Sequence, residues 1–135
     1  MTKLELRKYR DYGREIDQLR REKAMWYSRA ERSTRAPDRA PSFGGSHDPY
    51  PAIMDKISEI NILLTIKELE ATALRIRIET AIGGLEPKER VLMRAYYCEG
   101  RSWREVAQDA GYSIEHTWRL HGEILKKMRD NESFI

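Results

Sequence analysis

Apolar side chains recur along the chain at alternating intervals of three and four residues, the spacing that places them on one face of an α-helix. The longest pattern covers residues 52–82. Its inward positions, interrupted once by a lysine, are Ile53, Ile57, Ile60, Leu64, Lys67, Ala71, Leu74, Ile78 and Ala81. A second apolar row consists of Ile62, Ile66, Leu69 and Ile76. The two rows together exceed what one partner helix covers, which favours a dimer.

A second amphipathic pattern covers residues 3 to about 32 and predicts a charged helix of similar length. Its seam is Tyr9, Tyr12, Ile16, Leu19, Lys23 and Trp26, with Leu4 and Leu6 just off it. The basic residues outside the seam are candidates for phosphate contacts, but interleaved acids favour a solvated face; they are Arg7, Lys8, Arg10, Arg14, Arg20 and Arg21. Matching lengths and seams predict that the two helices pair as a stem, in an antiparallel, parallel or exchanged arrangement.

Residues 33–51 break every helical period. The prolines that exclude a continuous helix here are Pro37, Pro41, Pro49 and Pro51. Together with Gly44-Gly45 they predict a mobile linker, and we expect proteases to cut first at Arg35 or Arg39. Asp48 or the turn after it begins the next helix.

Caps and glycines between Leu85 and Lys127 predict three short helices. Pro87 suits the first turn of a helix, where its missing N–H has no cost. That helix ends at Gly100, and Gly83-Gly84 is expected to hinge the stem to it.

The last two of these helices are joined by a turn of three or four residues, the pattern of a helix-turn-helix. Ser102 and Glu105 form a capping box at the start of the first, which ends at Gly111. Ser113 caps the next helix, expected over about Ile114 to Met128. Its inward positions are Thr117, Leu120, Ile124, Leu125 and Met128.

Two groups of residues on these helices are candidates for contact with double-stranded DNA. The first turns of the second helix present possible base-reading side chains, namely Ile114, Glu115, His116, Trp118 and Arg119. For Trp118, an alternative to base contact is that the side chain packs on the preceding helix. The helix starts present possible phosphate contacts, namely Ser102, Arg104 and Ser113. We interpret Trp103, Tyr96, Tyr97 and Tyr112 as structural, and His121 as partly buried and bonded within the domain.

Composition limits the remaining classes. No run of about 18 apolar residues exists, so no membrane span is predicted. The single cysteine, Cys98, suits a reducing cytoplasm and falls short of a zinc site. No nucleophile–base constellation, phosphate-binding glycine loop or carboxylate cluster is present, so we expect no enzymatic activity, no cofactor and no metal.

The charge distribution changes the picture of DNA binding. The 135-residue chain carries a net charge of +3, but residues 86–135 hold equal numbers of basic and acidic side chains, nine of each. A neutral helix-turn-helix lacks the basic footprint of an autonomous DNA binder. We therefore expect dimerisation or a protein partner to assist DNA binding.

The same motifs carry a family resemblance over residues 85–129. The segments that resemble region 4 of bacterial sigma factors, their DNA-reading C-terminal domain, are Glu86-Pro-Lys-Glu-Arg-Val-Leu, Ser102-Trp-Arg-Glu-Val-Ala, Gly111-Tyr-Ser113 and Leu125-Lys-Lys-Met128. Ser102-Trp103, Gly111-Tyr112-Ser113 and Trp118-Arg-Leu-His121 resemble the RinA/ArpU-type phage transcriptional regulators, in which tyrosine is usual where Trp118 stands. The resemblance to sigma region 4 implies DNA contacts from the five base-reading positions.

These observations predict an all-α protein with a two-helix coiled-coil-like stem and a C-terminal sigma region 4-like domain. The expected divisions are a stem helix (1–32), a linker (33–51), a second stem helix (52–84) and a helix-turn-helix (85–130). The expected function is sequence-specific DNA binding in transcription regulation, as a homodimer. The resemblance narrows this expectation to a regulator of phage or prophage late genes that could act with host RNA polymerase. The alternatives are a DNA-packaging protein resembling a terminase small subunit, and a polymerase-binding protein that does not read DNA.

Overall fold

The computed structural model describes residues 1–34 and 48–132, and every regular element within these ranges is helical. The predicted all-α class is therefore confirmed. The elements are α1 (Lys3–Thr34), α2 (Tyr50–Ile82), α3 (Pro87–Met93), a π-helix (Arg94–Cys98), α4 (Trp103–Ala110) and α5 (Ile114–Glu132). Most of the predicted linker, with Gly44-Gly45 and the proposed cleavage sites Arg35 and Arg39, lies outside the described residues.

The chain divides into two compact units, Met1–Arg14 with Leu69–Ile135, and Glu15–Glu68. The sequence analysis instead predicted domain boundaries in the linker and at Gly83-Gly84. The division differs because each long helix contributes residues to both units.

Within the unit Glu15–Glu68, α1 and α2 run antiparallel. Lys67 pairs with Glu15 through its ammonium nitrogen and Oε2 at 3.1 Å. Toward the other ends of the two segments, Ala30 packs with Ile53 in a small apolar cluster. This ion pair accounts for the lysine that interrupts the seam of α2, because the carboxylate of α1 lies beside it.

The predicted seam of α2 faces the interior. Its buried members are Ile53, Ile57, Ile60, Leu64, Ala71, Leu74 and Ile78, and Ala81 is half-buried. The second apolar row behaves differently, because Ile62, Ile66, Leu69 and Ile76 are between 49% and 66% exposed. This row is therefore an apolar surface of the single chain. Asp48 lies two residues before α2, and its Oδ1 accepts a hydrogen bond from the N–H of Tyr50, the first helical residue, at 3.0 Å.

The other unit has one apolar core, built from the start of α1, the end of α2 and the three C-terminal helices. Leu6 is fully buried in it, so the placement of Leu6 outside the packed seam was wrong. The error arose because α1 here packs against several helices and not against one.

The predicted hinge at Gly83-Gly84 is not observed. Neither glycine has a positive φ, and the flanking Ile82 and Leu85 are both buried in the common core. The Leu85 N–H donates to the Ile82 carbonyl at 3.0 Å, which closes the turn. The end of α2 is therefore packed against the C-terminal helices.

Two further differences concern helix ends. The sequence predicted one regular helix from Pro87 toward Gly100, but a π-helix follows α3, and the Glu99 N–H donates to the Arg94 carbonyl at 2.8 Å. The last helix was expected to end at about Met128, whereas α5 continues to Glu132.

Candidate nucleic-acid interface

A three-residue turn, Gly111-Tyr112-Ser113, joins α4 to α5. Gly111 has a φ of 73°, in the left-handed region that glycine adopts without a steric cost. The Tyr112 N–H donates to the Ala107 carbonyl at 2.9 Å, and the Gly111 N–H donates to the Gln108 carbonyl at 3.2 Å. This pair of bonds is the Schellman motif and satisfies the last carbonyls of α4. The predicted helix end at Gly111 is confirmed.

Ser102 begins α4 with the predicted capping box. Its Oγ accepts a hydrogen bond from the Glu105 N–H at 3.2 Å, and its own N–H donates to Glu105 Oε1 at 3.3 Å. The Ser102 N–H and hydroxyl both bond the carboxylate, which holds the pKa of Glu105 below its usual value. The first turn of α4 therefore carries an ionised carboxylate.

The inward face of α5 is fixed from its first turn. Ser113 Oγ accepts a hydrogen bond from the His116 N–H at 3.1 Å, as expected of a helix cap. Thr117 is fully buried, and its hydroxyl donates to the Ser113 carbonyl at 2.9 Å. Ile124 and Met128 continue the buried side. The opposite side of the first two turns consequently faces outward.

The five predicted base-reading residues fall into two groups. Glu115, Trp118 and Arg119 are exposed, and Trp118 retains 54% of its surface. This exposure disfavours the alternative in which Trp118 packs on the preceding helix. Ile114 and His116 are half-buried, and the His116 ring meets Tyr112 edge to face at 4.7 Å. The exposed group thus supplies an acid, a large aromatic ring and a guanidinium on one helix face.

The predicted phosphate residues are also unlike one another. Arg104 is exposed on the first turn of α4, and no carboxylate in the described part of the chain forms an ion pair with it. Ser102 and Ser113 are exposed too, but their hydroxyls already cap α4 and α5. Arg104 is the member of this set whose polar group remains available to a ligand.

An aromatic cluster supports α4 and α5 from behind. The Tyr96 and Trp103 rings stack at 3.8 Å, and Trp103 lies 4.6 Å from the His121 ring, centroid to centroid. The Tyr97 hydroxyl lies 2.6 Å from His121 Nε2. Burial raises the pKa of Tyr97 to about 12, so the phenol keeps its proton and donates to the neutral imidazole. The structural interpretation of Tyr96, Tyr97, Trp103 and His121 is confirmed.

Arg10 of α1 holds the segment before α4, a role that sequence reasoning missed. Its Nη1 donates to the Tyr96 carbonyl at 2.5 Å and to the Arg101 carbonyl at 3.0 Å. The guanidinium also lies over the Tyr96 ring, 4.1 Å from the centroid. The only signal in the sequence was the position of Arg10 four residues after Leu6, on the same helix face. Arg10 is therefore unavailable as the phosphate contact that its sequence suggested.

An ion-pair network ties the end of α2 to the π-helix. Arg94 donates to both carboxylate oxygens of Glu79, from Nε at 2.9 Å and from Nη2 at 2.6 Å. Arg75 donates to the same carboxylate at 3.0 Å. The hydrogen bonds from Arg94, followed by that from Arg75, lower the pKa of Glu79 to about 2. These contacts fix the π-helix against the end of α2.

A groove of about 610 Å³ lies between α3, α4 and α5. Its apolar lining is Val91, Leu92, Ala95, Val106, Ala110, Leu120 and Ile124. Its charged lining is Glu86, Lys88, Glu89, Glu99, Arg101 and Asp109, in which acids outnumber bases. Val91 is 63% exposed at this groove. The groove therefore combines an apolar floor with a mainly acidic rim.

Among residues 1–34 and 48–132, no group of three His, Cys, Asp or Glu side chains is placed to hold a metal ion. Burial raises the pKa of the Cys98 thiol, which disfavours the reactive thiolate.

No protein-family model, curated protein or solved structure matches the chain. The described helices include none that is both long enough and apolar enough to cross a membrane.

Proposed function

We propose that the chain binds double-stranded DNA in a sequence-specific manner and regulates transcription. The observation that carries this proposal is the exposed set Glu115, Trp118 and Arg119 on the first two turns of α5. The buried side of α5 and the three-residue turn from α4 hold these side chains in a defined orientation. In helix-turn-helix proteins this part of the second helix enters the major groove and contacts base edges.

Each exposed side chain has a chemical role in this proposal. Arg119 donates two hydrogen bonds to guanine O6 and N7, and Glu115 accepts from cytosine N4. Trp118 supplies an apolar surface that faces the major groove of the DNA. Ile114 and His116 contribute less, because both are half-buried.

Arg104 is the proposed phosphate contact at the start of α4. It is exposed and forms no ion pair with a carboxylate of the described chain. For Ser102 and Ser113 we propose a smaller part, because capping already occupies their hydroxyls.

The biological setting rests on the sequence resemblance alone. Similarity of residues 85–129 to sigma region 4 and to RinA/ArpU-type regulators supports a cytoplasmic regulator of phage or prophage late genes. We place the protein in that class as a proposal.

A homodimer through α2 is part of the same proposal. The exposed row of Ile62, Ile66, Leu69 and Ile76 offers an apolar surface, and a second copy supplies a matching one. A dimer doubles the DNA contacts of a domain whose formal charge is neutral. A ring of many copies would instead favour the DNA-packaging alternative, and the mass in solution distinguishes the two.

A second candidate function is binding to host RNA polymerase without reading DNA. The groove between α3, α4 and α5 favours it, because its floor is apolar and its rim is mainly acidic. A basic amphipathic helix is the partner that complements such a groove.

The test is selection of duplexes by the purified full chain from a randomised double-stranded library, followed by titration at several salt concentrations. The proposal expects enrichment of a defined sequence and a binding constant that falls as salt rises. Failure to enrich any duplex at low salt would contradict DNA reading and favour the polymerase-binding candidate.

A further inference from the structure

Gly122 lies in the interior of α5, where glycine is unexpected. It is exposed, and a Cβ added to it meets nothing within 4 Å. Its φ lies outside the left-handed region, so the backbone does not require glycine either. Apart from proline, glycine is the least favourable residue inside a helix. Neither packing within the chain nor backbone geometry therefore accounts for glycine at this position.

The neighbours of Gly122 on the helix surface have ligand-binding chemistry. Trp118 and Arg119 precede it by four and three residues, and Lys126 follows it by four, so all three share its face. All three side chains are exposed. Among the described residues, no carboxylate pairs with Arg119 or Lys126. Gly122 thus forms a gap in the side-chain layer between unpaired basic groups.

We propose that Gly122 is the point at which the sugar-phosphate strand of bound DNA passes directly over the backbone of α5. Lys126 neutralises a phosphate beside this crossing. This inference rests on the proposed DNA-binding function and extends its interface from Arg119 to Lys126, about two helical turns further along α5. At a rise of about 1.5 Å per residue, Gly122 lies roughly 12 Å from Ile114. Gly122 therefore lies beyond the N-terminal part of the helix, which contacts base edges in helix-turn-helix proteins.

DNA explains the arrangement better than a protein does. The residues before Gly122 on the same face are those with base-reading chemistry, and the residue after it is an unpaired cation. A recognition helix that leaves the groove needs a close approach and a positive charge at the strand that it crosses. The absence of a side chain at Gly122 allows the close approach, and Lys126 provides the positive charge.

The test compares Gly122→Ala with a matched control, Gly13→Ala. Gly13 is also exposed inside a helix, α1, and a Cβ added there likewise meets nothing within 4 Å. Both substitutions should raise the midpoint of thermal unfolding, because alanine favours the helix. Only Gly122→Ala should weaken binding of the full chain to the duplex selected by the wild type, by about tenfold. The predicted signature is a variant that is more stable and binds more weakly.

Lys126→Ala provides an independent measurement on the same duplex. Removal of one phosphate contact should reduce the slope of log affinity against log salt by about one unit. Both variants, Gly122→Ala and Lys126→Ala, should also lose affinity for a scrambled duplex, by about as much as for the selected one. The reason is that a contact with the sugar-phosphate strand does not depend on the base sequence.

Three results would overturn the inference. Unchanged affinity of Gly122→Ala for the selected duplex would exclude the strand crossing, and lower thermal stability would show a structural requirement for glycine. Loss of binding to a purified RNA polymerase, with DNA binding intact, would assign the gap to a protein contact. If the wild-type protein selects no duplex at all, the proposed DNA-binding function itself fails. That outcome differs from the three results above, all of which require a wild-type protein that binds DNA.

Discussion

Arg10 joins parts of the molecule that are about ninety positions apart in sequence. Its guanidinium donates to the carbonyls of Tyr96 and Arg101, which lie on either side of Gly100, and it covers the Tyr96 ring. Gly100 has a φ of 71°, so the chain reverses there in a conformation that only glycine adopts readily. One side chain of α1 therefore fixes the turn from which α4 starts.

Substitution of Arg10 tests this role. Arg10→Ala should lower the free energy of unfolding by about 2 kcal/mol, because two carbonyls lose charge-assisted hydrogen bonds in a partly buried site. Arg14→Ala is the matched control, since the Arg14 side chain is 70% exposed and its ion pair with Asp11 is weak, worth about 0.5 kcal/mol or less. Urea unfolding gives both values. Equal effects of the two substitutions would mean that Arg10 does not stabilise the turn.

His121 makes the stability of the same region dependent on pH. Burial, with a smaller contribution from the charges of Lys3 and Arg7, lowers the pKa of His121 to about 4. The unfolded chain therefore binds the proton more strongly than the folded chain does. The resulting stability is fully present above about pH 6.5 and is lost as the pH falls toward about 4.

We expect the free energy of unfolding to decrease by on the order of 3 kcal/mol between about pH 6.5 and about pH 4. His121→Gln should flatten the profile in this window, because glutamine does not titrate. Tyr97→Phe should keep most of the slope, since burial is the main cause of the shift. Urea unfolding at several pH values measures all three proteins, and a wild-type slope retained by His121→Gln would refute the assignment.

Among the helices, those with strong local signals were predictable. The capping box at Ser102, the left-handed Gly111 and the cap at Ser113 each depend on residues within four positions, so the sequence alone indicated α4, its turn and the start of α5. The seam of α2 was predictable for the same reason, because its burial follows a regular period.

What could not be predicted depends on packing between distant segments. The π-helix places Tyr97 in the core and Tyr96 against Trp103, an outcome that no local propensity signals. Arg10 was assigned to a solvated face because its partners lie some ninety residues away in the sequence. Leu6 was placed just off the seam because the helices that bury it follow much later in the chain. Of the candidate interface, the outward position of Trp118 and Arg119 followed from periodicity, whereas the half-burial of His116 against Tyr112 did not.

The two apolar rows of α2 lead to opposite expectations for substitution. Leu64 is buried, so Leu64→Asp should lower the free energy of unfolding by about 3 kcal/mol or more, because an unpaired charge enters an apolar seam. Ile66 is 49% exposed, so Ile66→Glu should leave the fold intact and halve the mass of a dimer in solution. Sedimentation and thermal unfolding separate these effects. A dimer that survives Ile66→Glu would show that this row is not its interface.

Considered as a whole molecule, the chain combines a neutral C-terminal half with a narrow set of available cations. Many basic side chains near α4 and α5 are already engaged, as Lys127 is with Glu89 at 2.9 Å and Arg94 is with Glu79. Those on the outward face of α5, such as Arg119 and Lys126, pair with no carboxylate of the described chain. Individual cations on this face are therefore available to a phosphate backbone, although the C-terminal half is neutral overall.

The most direct measurement is a paired titration of Arg119→Ala and Arg104→Ala on the selected duplex and on a scrambled one, at several salt concentrations. Arg119→Ala should weaken binding to the selected duplex by about 1–3 kcal/mol and leave scrambled duplex nearly unchanged, because it removes a base contact. Arg104→Ala should weaken both and reduce the salt slope by about one unit. Equal losses on both duplexes for Arg119→Ala would contradict base reading by α5, and no change for either variant would contradict DNA binding by this face.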